Sequence, residues 1–277
     1  SGSPLLVKHF SYKDIKRATN GFELVSSSSS SSSSSRGVFH RAKFRNGFVA
    51  MVKEVSLSDD KSFHRQVQLL ACLHHRHIVS LCGFSMDNKR FLVFEKMERG
   101  TLKEYLSDPL KTPLNWRTRV QIAVGIAAAV EYLHFFCDPP VYRVSISSNT
   151  ILLDDSLIPK ISDIGLADKT SSNCWKGKFC CKDQECKDMI FQLGLVILEL
   201  ITGQSSDAGR VDLVRWIQVA QSPPSVHKMI DPDLGNNYDP REIKRLLNVA
   251  RLCIASVDKP AIYTPQILRY LQKKIAV

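Results

Sequence analysis

The side chains best placed for chemistry lie in one segment, PPVYRVSISSNTILLDDSLIPKISDIGLAD, residues 139–168. Two short apolar runs in it, 150–153 and 158–161, are bounded by polar or turn residues and predict a small hairpin. A carboxylate follows this hairpin at Asp163. Three hydroxyl side chains that could face a substrate come at Ser145, Ser147 and Thr150. A serine hydroxyl is not a base near neutral pH, so the sequence predicts that this loop does not abstract protons.

The upstream part of the chain carries a lysine on a predicted strand. Residues 38–53 predict a β-hairpin with a tight turn at Asn46-Gly47. The second strand of this hairpin contains Met51 and Lys53. Ten consecutive serines, residues 26–35, precede the hairpin, and such a low-complexity tract cannot pack into a core. The sequence leaves open whether this tract is natural, engineered or a stand-in for another segment.

Most of the remaining chain is predicted to be helical. The recurrence of Phe63, Val67 and Leu70 predicts a helix over 61–73, which contains Gln66. Residues 91–95 predict a strand that ends in Phe94 and Glu95. Further helices are predicted after a capping residue at Ser11 and over 116–136, 188–202, 210–220, 238–253 and 263–274.

Length and composition limit the class of protein. A chain of 277 residues with 44% apolar residues can form one large domain or two lobes and bury a sizeable core. No apolar run approaches the ~20 residues of a membrane span. The opening Ser1-Gly2-Ser3 resembles a cloning scar, so we expect the chain to be part of a longer protein.

The charge is strongly positive, at +11 from 38 basic and 27 acidic residues. Two interpretations fit this value: a solvated basic surface, or attraction to an acidic partner or to the anionic inner leaflet of a membrane. No run of Lys and Arg is dense enough for a nucleic-acid-binding arm, so nucleic acid is not an expected partner.

Eight unevenly spaced cysteines in a chain of this length do not predict a disulfide framework, and a reducing environment is expected. We interpret Cys174, Cys180, Cys181 and Cys186 as free thiols and expect no bound metal. Four further cysteines lie in apolar segments and are predicted to be core residues: Cys72, Cys82, Cys137 and Cys253. The histidines of residues 74–77 are interpreted as solvated or bonded to the backbone.

These motifs resemble the cytoplasmic kinase domain of plant receptor-like kinases of the receptor-like kinase/Pelle group. Residues 10–22 are similar to the family's opening F-[ST]-Y-x-[ED]-[IL]-x-x-A-T-x-x-F, and residues 73–81 to L-x-H-x-[HN]-[IL]-V-x-L. Residues 160–167 are similar to K-[IV]-S-D-F-G-L-A, with Ile164 in place of the Phe. The resemblance covers nearly the whole chain.

The resemblance implies an α+β fold with two lobes, a small β-rich N-lobe with one helix and a larger, mainly helical C-lobe. Residues 1–25 would be a juxtamembrane-like segment that leads into the N-lobe. The N-lobe would span residues 26–95, with the serine tract in place of the family's Gly-rich loop. The C-lobe would span residues 96–277.

The catalytic loop departs from the family pattern. In the ungapped register the His-Arg-Asp triplet falls on 143–145, so Ser145 takes the place of the catalytic base. Ser147 takes the place of the following lysine, and Thr150 that of the metal-binding Asn. A register slipped by one residue restores Asn149 but needs a gap before residue 151. Neither register supplies the aspartate.

The nucleotide-binding positions that the resemblance implies are partly retained. Lys53 matches the lysine that holds the ATP phosphates, and Asp163 matches the metal-binding Asp of D-F-G. Met51 replaces the small residue above the adenine, and Phe94 and Glu95 would line the cleft and hinge. Four further positions depart from the family. Gln66 replaces the glutamate that pairs with the lysine, and the three glycines of the Gly-rich loop are replaced by Ser31, Ser33 and Arg36.

Two structural motifs of the C-lobe are also altered. No A-P-E-like motif occurs between Lys169 and Lys187, whereas Lys259-Pro260 replaces the family's Arg-Pro pair. The aspartate that anchors the catalytic loop from the next helix falls on Met189, with Asp188 one residue away.

The sequence therefore predicts a pseudokinase that acts as a protein-interaction or regulatory module in receptor signalling. The alternative is an atypical serine/threonine kinase with weak residual phosphotransfer. Binding of Mg-ATP is expected to be absent or very weak. The resemblance implies an active receptor-like or cytoplasmic kinase as partner. It also implies attachment to the cytoplasmic face of the plasma membrane through an upstream transmembrane segment.

Overall fold

A computed structural model describes residues 7–22, 39–56, 59–165, 180–219, 228–256, 266–267 and 269–271. The chain divides into two compact units. The first consists of Ser1–His75 and Val79–Glu98, and the second of Arg76–Ile78 and Arg99–Val277. The first unit is built on a sheet and the second is mainly helical, which confirms the predicted α+β class with a β-rich and a helical lobe.

The first unit contains a five-stranded sheet in the order β1-β4-β5-β3-β2. Its strands are β1 (Lys8–His9), β2 (Phe39–Lys43), β3 (Val49–Glu54), β4 (Leu81–Ser85) and β5 (Phe91–Glu95). Strand β1 pairs with β4 in parallel, and the other pairs are antiparallel. The described part of this unit also contains two helices, α1 (Tyr12–Ala18) and α2 (Asp60–Cys72).

The opening segment of the chain packs on this sheet. Helix α1 begins after Ser11, whose side chain accepts a hydrogen bond from the amide of Asp14 at 3.1 Å, as the capping pattern predicts. Ile15 and Ala18 of α1 are buried with Ala42, Ala50, Val52, Phe91 and Val93 of the sheet. The predicted juxtamembrane-like segment therefore contributes to the core of the first unit.

The β2–β3 hairpin is confirmed, but its turn differs from the predicted two-residue turn. Phe44 donates its amide to the carbonyl of Phe48 at 2.8 Å, which leaves three residues, 45–47, in the loop. Gly47 has a φ of +80°, a left-handed conformation that glycine adopts without strain. The Asn46 side chain accepts a hydrogen bond from the amide of Phe48 at 3.1 Å, and this bond stabilises the longer loop.

The second unit combines short strands with long helices. A three-stranded sheet contains β6 (Gly100–Thr101), β7 (Ile151–Leu153) and β8 (Pro159–Ile161), and antiparallel pairing of β7 with β8 confirms the predicted hairpin. The described helices are α3 (Leu102–Ser107), α4 (Trp116–Glu131), α5 (Cys180–Thr202), α6 (Ser206–Val219) and α7 (Pro240–Ala255). Helix α4 continues as one π-helical stretch, Tyr132–Phe136.

Helix α5 begins eight residues before the predicted start at Asp188. The prediction relied on the apolar positions, which start at Met189, and the polar first turns carry no such pattern. The remaining predicted helices are confirmed with ends shifted by a few residues. The last one, predicted over 263–274, falls largely outside the described residues, of which 266–267 and 269–271 are helical.

The segment Trp116–Phe136 is long and apolar enough to cross a membrane by length and composition alone, although inspection of the sequence found no such run. In this structure it is a core helix. Ile122, Ile126 and Leu133 are fully buried, and α4 packs against α5 and β8. The apolar face of this helix is therefore covered by protein.

The cysteine predictions are partly wrong. Cys72 is exposed, because it lies two residues beyond Leu70 on α2 and so on the opposite side from the buried face. Cys82 and Cys137 are half-buried. Cys253 is fully buried, and this burial raises the pKa of its thiol to about 12. Of the predicted core cysteines, only Cys253 is a full member of the core.

Candidate functional site

The first unit places three of the predicted site residues on neighbouring strands. Met51 and Lys53 lie on β3, and Met51 is the register partner of Phe94 on β5. Lys53 is opposite Phe39 on β2. Because side chains alternate along a strand, Phe39, Met51 and Lys53 belong to one face of the sheet.

Phe39 is a member of this group that the sequence analysis missed. Its ring centroid lies 6.0 Å from that of Phe94 in an edge-on arrangement, and the Lys53 Nζ lies 5.5 Å from the Phe39 ring. An aromatic face attracts a cation, so the ring holds the ammonium group close to the strand. The predicted two-residue turn would pair Phe39 with Glu54, and only the three-residue loop of the structure places it opposite Lys53.

The carboxylate that the resemblance requires beside Lys53 is absent from the matching helix position. Gln66 is buried on α2, and its neutral amide cannot form an ion pair. Glu95, at the end of β5, accepts a hydrogen bond from the amide of Ser80 at 2.7 Å. The glycine-loop positions Ser31, Ser33 and Arg36 lie outside the described residues.

In the second unit, a pair of backbone hydrogen bonds brings the catalytic-loop segment beside Asp163. The amide of Ser145 donates to the Asp163 carbonyl at 3.0 Å, and the amide of Gly165 donates to the Arg143 carbonyl at 3.0 Å. Between these bonds, Val144 forms an isolated antiparallel bridge with Ile164. Ser145 and Asp163 are thereby fixed next to each other.

The hydroxyl of Thr150 forms hydrogen bonds with the backbone on the other side of the loop. It donates a hydrogen bond to the carbonyl of Ser145 at 2.7 Å and accepts one from the amide of Ser147 at 2.9 Å. Thr150 is buried, whereas its neighbour Asn149 is exposed. The residue that contacts position 145 across the loop is therefore Thr150, which favours the ungapped register over the slipped one.

This arrangement leaves little capacity for metal binding or proton transfer. The single proton of the Thr150 hydroxyl is directed to a carbonyl, and an amide proton occupies a lone pair of its oxygen. Mg²⁺ prefers carboxylate oxygens and water in octahedral geometry. Residues 141–150 contain no carboxylate. Among the described residues, the acidic side chains beside this loop include Asp163 and Glu185, whose Oε1 lies 3.9 Å from Arg143 Nε.

The loop is anchored to α5 by Gln192, a contact that the sequence analysis did not predict. The amide of Ile146 donates to Gln192 Oε1 at 2.7 Å. Met189, the predicted anchor position, is fully buried and offers only a weakly accepting thioether sulfur, and Asp188 is exposed. Residues three apart share a helix face, so an acceptor at 192 can serve the loop in place of one at 189.

Replacement of Gln192 by leucine should destabilise the second unit. Ile146 is 2% exposed, and the variant would leave its amide without an acceptor, at a cost of about 1–3 kcal/mol. Urea unfolding followed by tryptophan fluorescence measures this loss. The matched variant Gln192→Glu keeps an acceptor oxygen and should lose less. Equal unfolding curves for Gln192→Leu and the parent would show that the contact contributes nothing.

The predicted histidine environments agree with the structure. His74 Nδ1 lies 3.1 Å from the Cys72 carbonyl, and His77 Nδ1 lies 2.9 Å from the Pro159 carbonyl. Burial lowers the pKa of His77 below its ordinary value of 6.5, so the neutral ring is favoured. Both rings are thus bonded to the backbone.

Comparison with known proteins identifies the family of this chain. The family model for protein tyrosine and serine/threonine kinases matches residues 35–186. A probable receptor-like protein kinase of Arabidopsis thaliana is 36% identical over 290 residues, which cover 95% of this chain and 43% of the relative. The probable serine/threonine-protein kinase PBL7 of the same plant is 30% identical and covers 90% of this chain and 73% of its own. The chain belongs to the plant receptor-like branch of the protein kinase family.

This kinase domain spans only part of several relatives from Arabidopsis thaliana. It covers 43% of the probable receptor-like protein kinase, 65% of the probable serine/threonine-protein kinase PBL26 and 41% of the proline-rich receptor-like protein kinase PERK2. These relatives are named as kinases. The family prediction made from the motifs is confirmed.

Solved structures similar to this kinase domain include pseudokinases. The pseudokinase domain of BIR2, an immune regulator of the RLK/Pelle family, superposes with a TM-score of 0.78 at 27% identity. The match covers 96% of this chain and 84% of that domain. The pseudokinase DRIK1 superposes with a TM-score of 0.75 at 21% identity, over 98% and 97% of the two chains, and shows the shared fold.

Proposed function

We propose that this kinase domain is a pseudokinase, a signalling module that binds proteins and does not transfer phosphate. The observation that carries the proposal is the loop of 145–150. Its base position is a serine, and the hydroxyl at its metal position is hydrogen-bonded within the loop. A general base contributes about 10²–10⁴-fold to such reactions, and Ser145 cannot supply that contribution near neutral pH.

We also propose that Mg-ATP binds very weakly or not at all. Met51 has three more side-chain heavy atoms than the alanine usual at its position, and its flexible thioether can fill an irregular gap. Phe39 and Phe94 add two aromatic rings to the first unit near Met51. The positive charge of Lys53 remains, but Gln66 cannot supply the carboxylate that orients it in an active kinase.

A thermal-shift titration tests nucleotide binding. Ligand that binds only the native state stabilises it by RT ln(1 + [L]/Kd), about 2.7 kcal/mol at a ligand concentration of 100 Kd. Millimolar Mg-ATP should leave the Tm of this domain unchanged. The double variant Phe39→Ala, Met51→Ala serves as the matched comparison, because it removes the bulk and keeps Lys53. A clear rise in Tm for the unaltered domain would show that these side chains do not close the site.

The partner we propose is an active receptor-like or cytoplasmic kinase, at the cytoplasmic face of the plasma membrane. The receptor-like names of the relatives support this location, and the pseudokinase BIR2, named as an immune regulator, supports a regulatory role. A domain that binds one state of an active kinase better than another shifts that kinase toward the favoured state. The helical unit or α2 would provide the docking surface.

Crosslinking in plant extract followed by mass spectrometry tests the partner. We expect the domain to capture an active kinase, with crosslinks from the second unit or from α2. Failure to recover any kinase above a control that carries only the affinity tag would remove the main support for a regulatory scaffold.

The rival function is weak residual phosphotransfer. Lys53 and Asp163 are retained, and positioning of reactants can by itself supply part of the acceleration. Three changes argue against residual phosphotransfer: the serine at the base position, the glutamine at position 66, and the serine tract in place of the Gly-rich loop. These changes affect three separate parts of the catalytic machinery, which favours the inactive domain.

A further inference from the structure

The outward face of α1 carries a cluster of positive charge. Lys13, Lys16 and Arg17 are all exposed and are spaced three and four residues apart, so they lie on the same side of the helix. Asn20 follows one turn later, just beyond the helix end. The opposite side of α1 carries the buried Ile15 and packs on the sheet, so the cluster faces away from the core.

These side chains border an open concavity of about 490 Å³, which we call the α1 basic pocket. Its lining consists of Lys13, Lys16, Arg17, Asn20 and Gly21. The concavity is shallow and open to solvent, so a ligand would be held mainly by the charges at its border. Three cations around such a volume are suited to a compact ligand with several negative charges.

The wall of the α1 basic pocket is held in place by a tight turn. Asn20, Gly21 and Phe22 all have left-handed backbone conformations, with φ of 50°, 77° and 70°. The amide of Gly21 donates to the carbonyl of Lys16 at 2.8 Å. The Phe22 ring stacks on Phe91 at 5.2 Å, which ties the turn to the core. The turn that forms one side of the pocket is therefore fixed by the core of the first unit.

Helix stability does not account for this set of cations. The helix dipole favours Lys16 and Arg17 in the last turn, but it disfavours Lys13 in the first turn. Lys13 and Arg17 are four residues apart and repel each other. Asp14 lies 3.6 Å from Arg17 in an exposed pair, which offsets the repulsion only weakly. This face of α1 therefore keeps a net positive charge that is accessible to an anionic ligand.

We propose that the α1 basic pocket binds a multiply phosphorylated inositol headgroup. The Arg17 guanidinium can contact a phosphate through two hydrogen bonds, and the two lysines act as point charges for further phosphates. The same headgroup occurs on membrane lipids and as a soluble molecule; vesicle binding measures the first source, titration with the soluble headgroup measures the second, and the tighter of the two is assigned as the ligand. This site is independent of phosphotransfer and nucleotide binding.

Vesicle co-sedimentation of the whole domain tests the site. The vesicles are phosphatidylcholine with phosphatidylinositol bisphosphate, or phosphatidylcholine with phosphatidylserine at equal surface charge. We expect binding to the first and little binding to the second. Soluble inositol trisphosphate is added as competitor, and it should displace the domain from the vesicles. Titration calorimetry with inositol trisphosphate alone should detect direct binding to the soluble headgroup.

Two triple variants identify the residues. The variant Lys13→Gln, Lys16→Gln, Arg17→Gln should bind about a hundredfold more weakly, because each cation near a lipid surface contributes about a factor of five. The matched control Arg117→Gln, Arg241→Gln, Lys244→Gln removes three exposed cations of the second unit and should bind as the parent does. The charge-keeping variant Lys13→Arg, Lys16→Arg should also retain binding.

Three results would overturn the proposal. Equal binding to phosphatidylserine vesicles would show attraction to charge without a specific site. Equal losses in the two triple variants would place the effect in the overall charge of the domain. Binding that depends on Lys13, Lys16 and Arg17 but is seen only with a doubly phosphorylated peptide would assign the pocket to a protein partner.

Discussion

Replacement of Arg119 by alanine is expected to lower the free energy of unfolding of the second unit by about 3–5 kcal/mol. Arg119 lies on α4, is 1% exposed, and forms an ion pair with Asp231 at 2.7 Å. It also donates hydrogen bonds to the carbonyls of Leu114 at 2.9 Å and Leu200 at 3.0 Å. The variant would leave a carboxylate and two carbonyls in the interior without their cation.

Urea unfolding measures this loss, and tryptophan fluorescence suits it because all three tryptophans belong to the second unit. The matched control is Arg117→Ala, which removes an exposed arginine two residues earlier on the same helix and should change stability by less than about 0.5 kcal/mol. Similar small effects of both substitutions would mean that the buried ion pair does not hold α4 to the segment around Asp231.

Restoration of the catalytic loop alone is expected to leave the domain inactive. The double variant Ser145→Asp, Thr150→Asn supplies the base and the metal-binding amide of an active kinase. It does not restore the glycine loop, and Gln66 still cannot form an ion pair with Lys53. The gain of about 10²–10⁴-fold that a base provides would therefore act on a domain that we propose binds nucleotide very weakly or not at all.

Phosphate transfer from radiolabelled ATP by this double variant checks the expectation, with the same variant carrying Lys53→Met as background. Thr150 also closes the loop through its hydroxyl, so a thermal melt of the double variant is needed to show that it folds. Transfer about tenfold or more above background would place the whole defect in the loop and refute the role assigned to the serine tract and Gln66.

The sequence predicted the fold well because its apolar pattern and turns are typical of the family. The β7–β8 hairpin followed from two apolar runs, and the long helices followed from apolar residues at helical spacing. The start of α5 was missed because its first turns are polar. The exposed Cys72 was missed because residue type was used without its position on the helix face.

Site residues defined by tertiary contacts were harder to predict. Gln192 became visible only when the structure showed its side chain at the amide of Ile146. Phe39 required the strand register, which sequence motifs alone do not give. The choice between Asn149 and Thr150 depended on which side chain turns into the loop, a property of the backbone path. These contacts depend on the path of the folded backbone, and local sequence patterns do not predict them.

Phosphate transfer by the unaltered domain is the most direct test of its proposed function. The domain is incubated with radiolabelled ATP and Mg²⁺, with itself and a generic basic protein as acceptors, beside the Lys53→Met variant and a known active kinase. We predict incorporation no greater than that of Lys53→Met, since Ser145 cannot act as base and Thr150 is held within the loop. Incorporation that is clearly above background and is abolished by Lys53→Met would contradict the assignment as a pseudokinase.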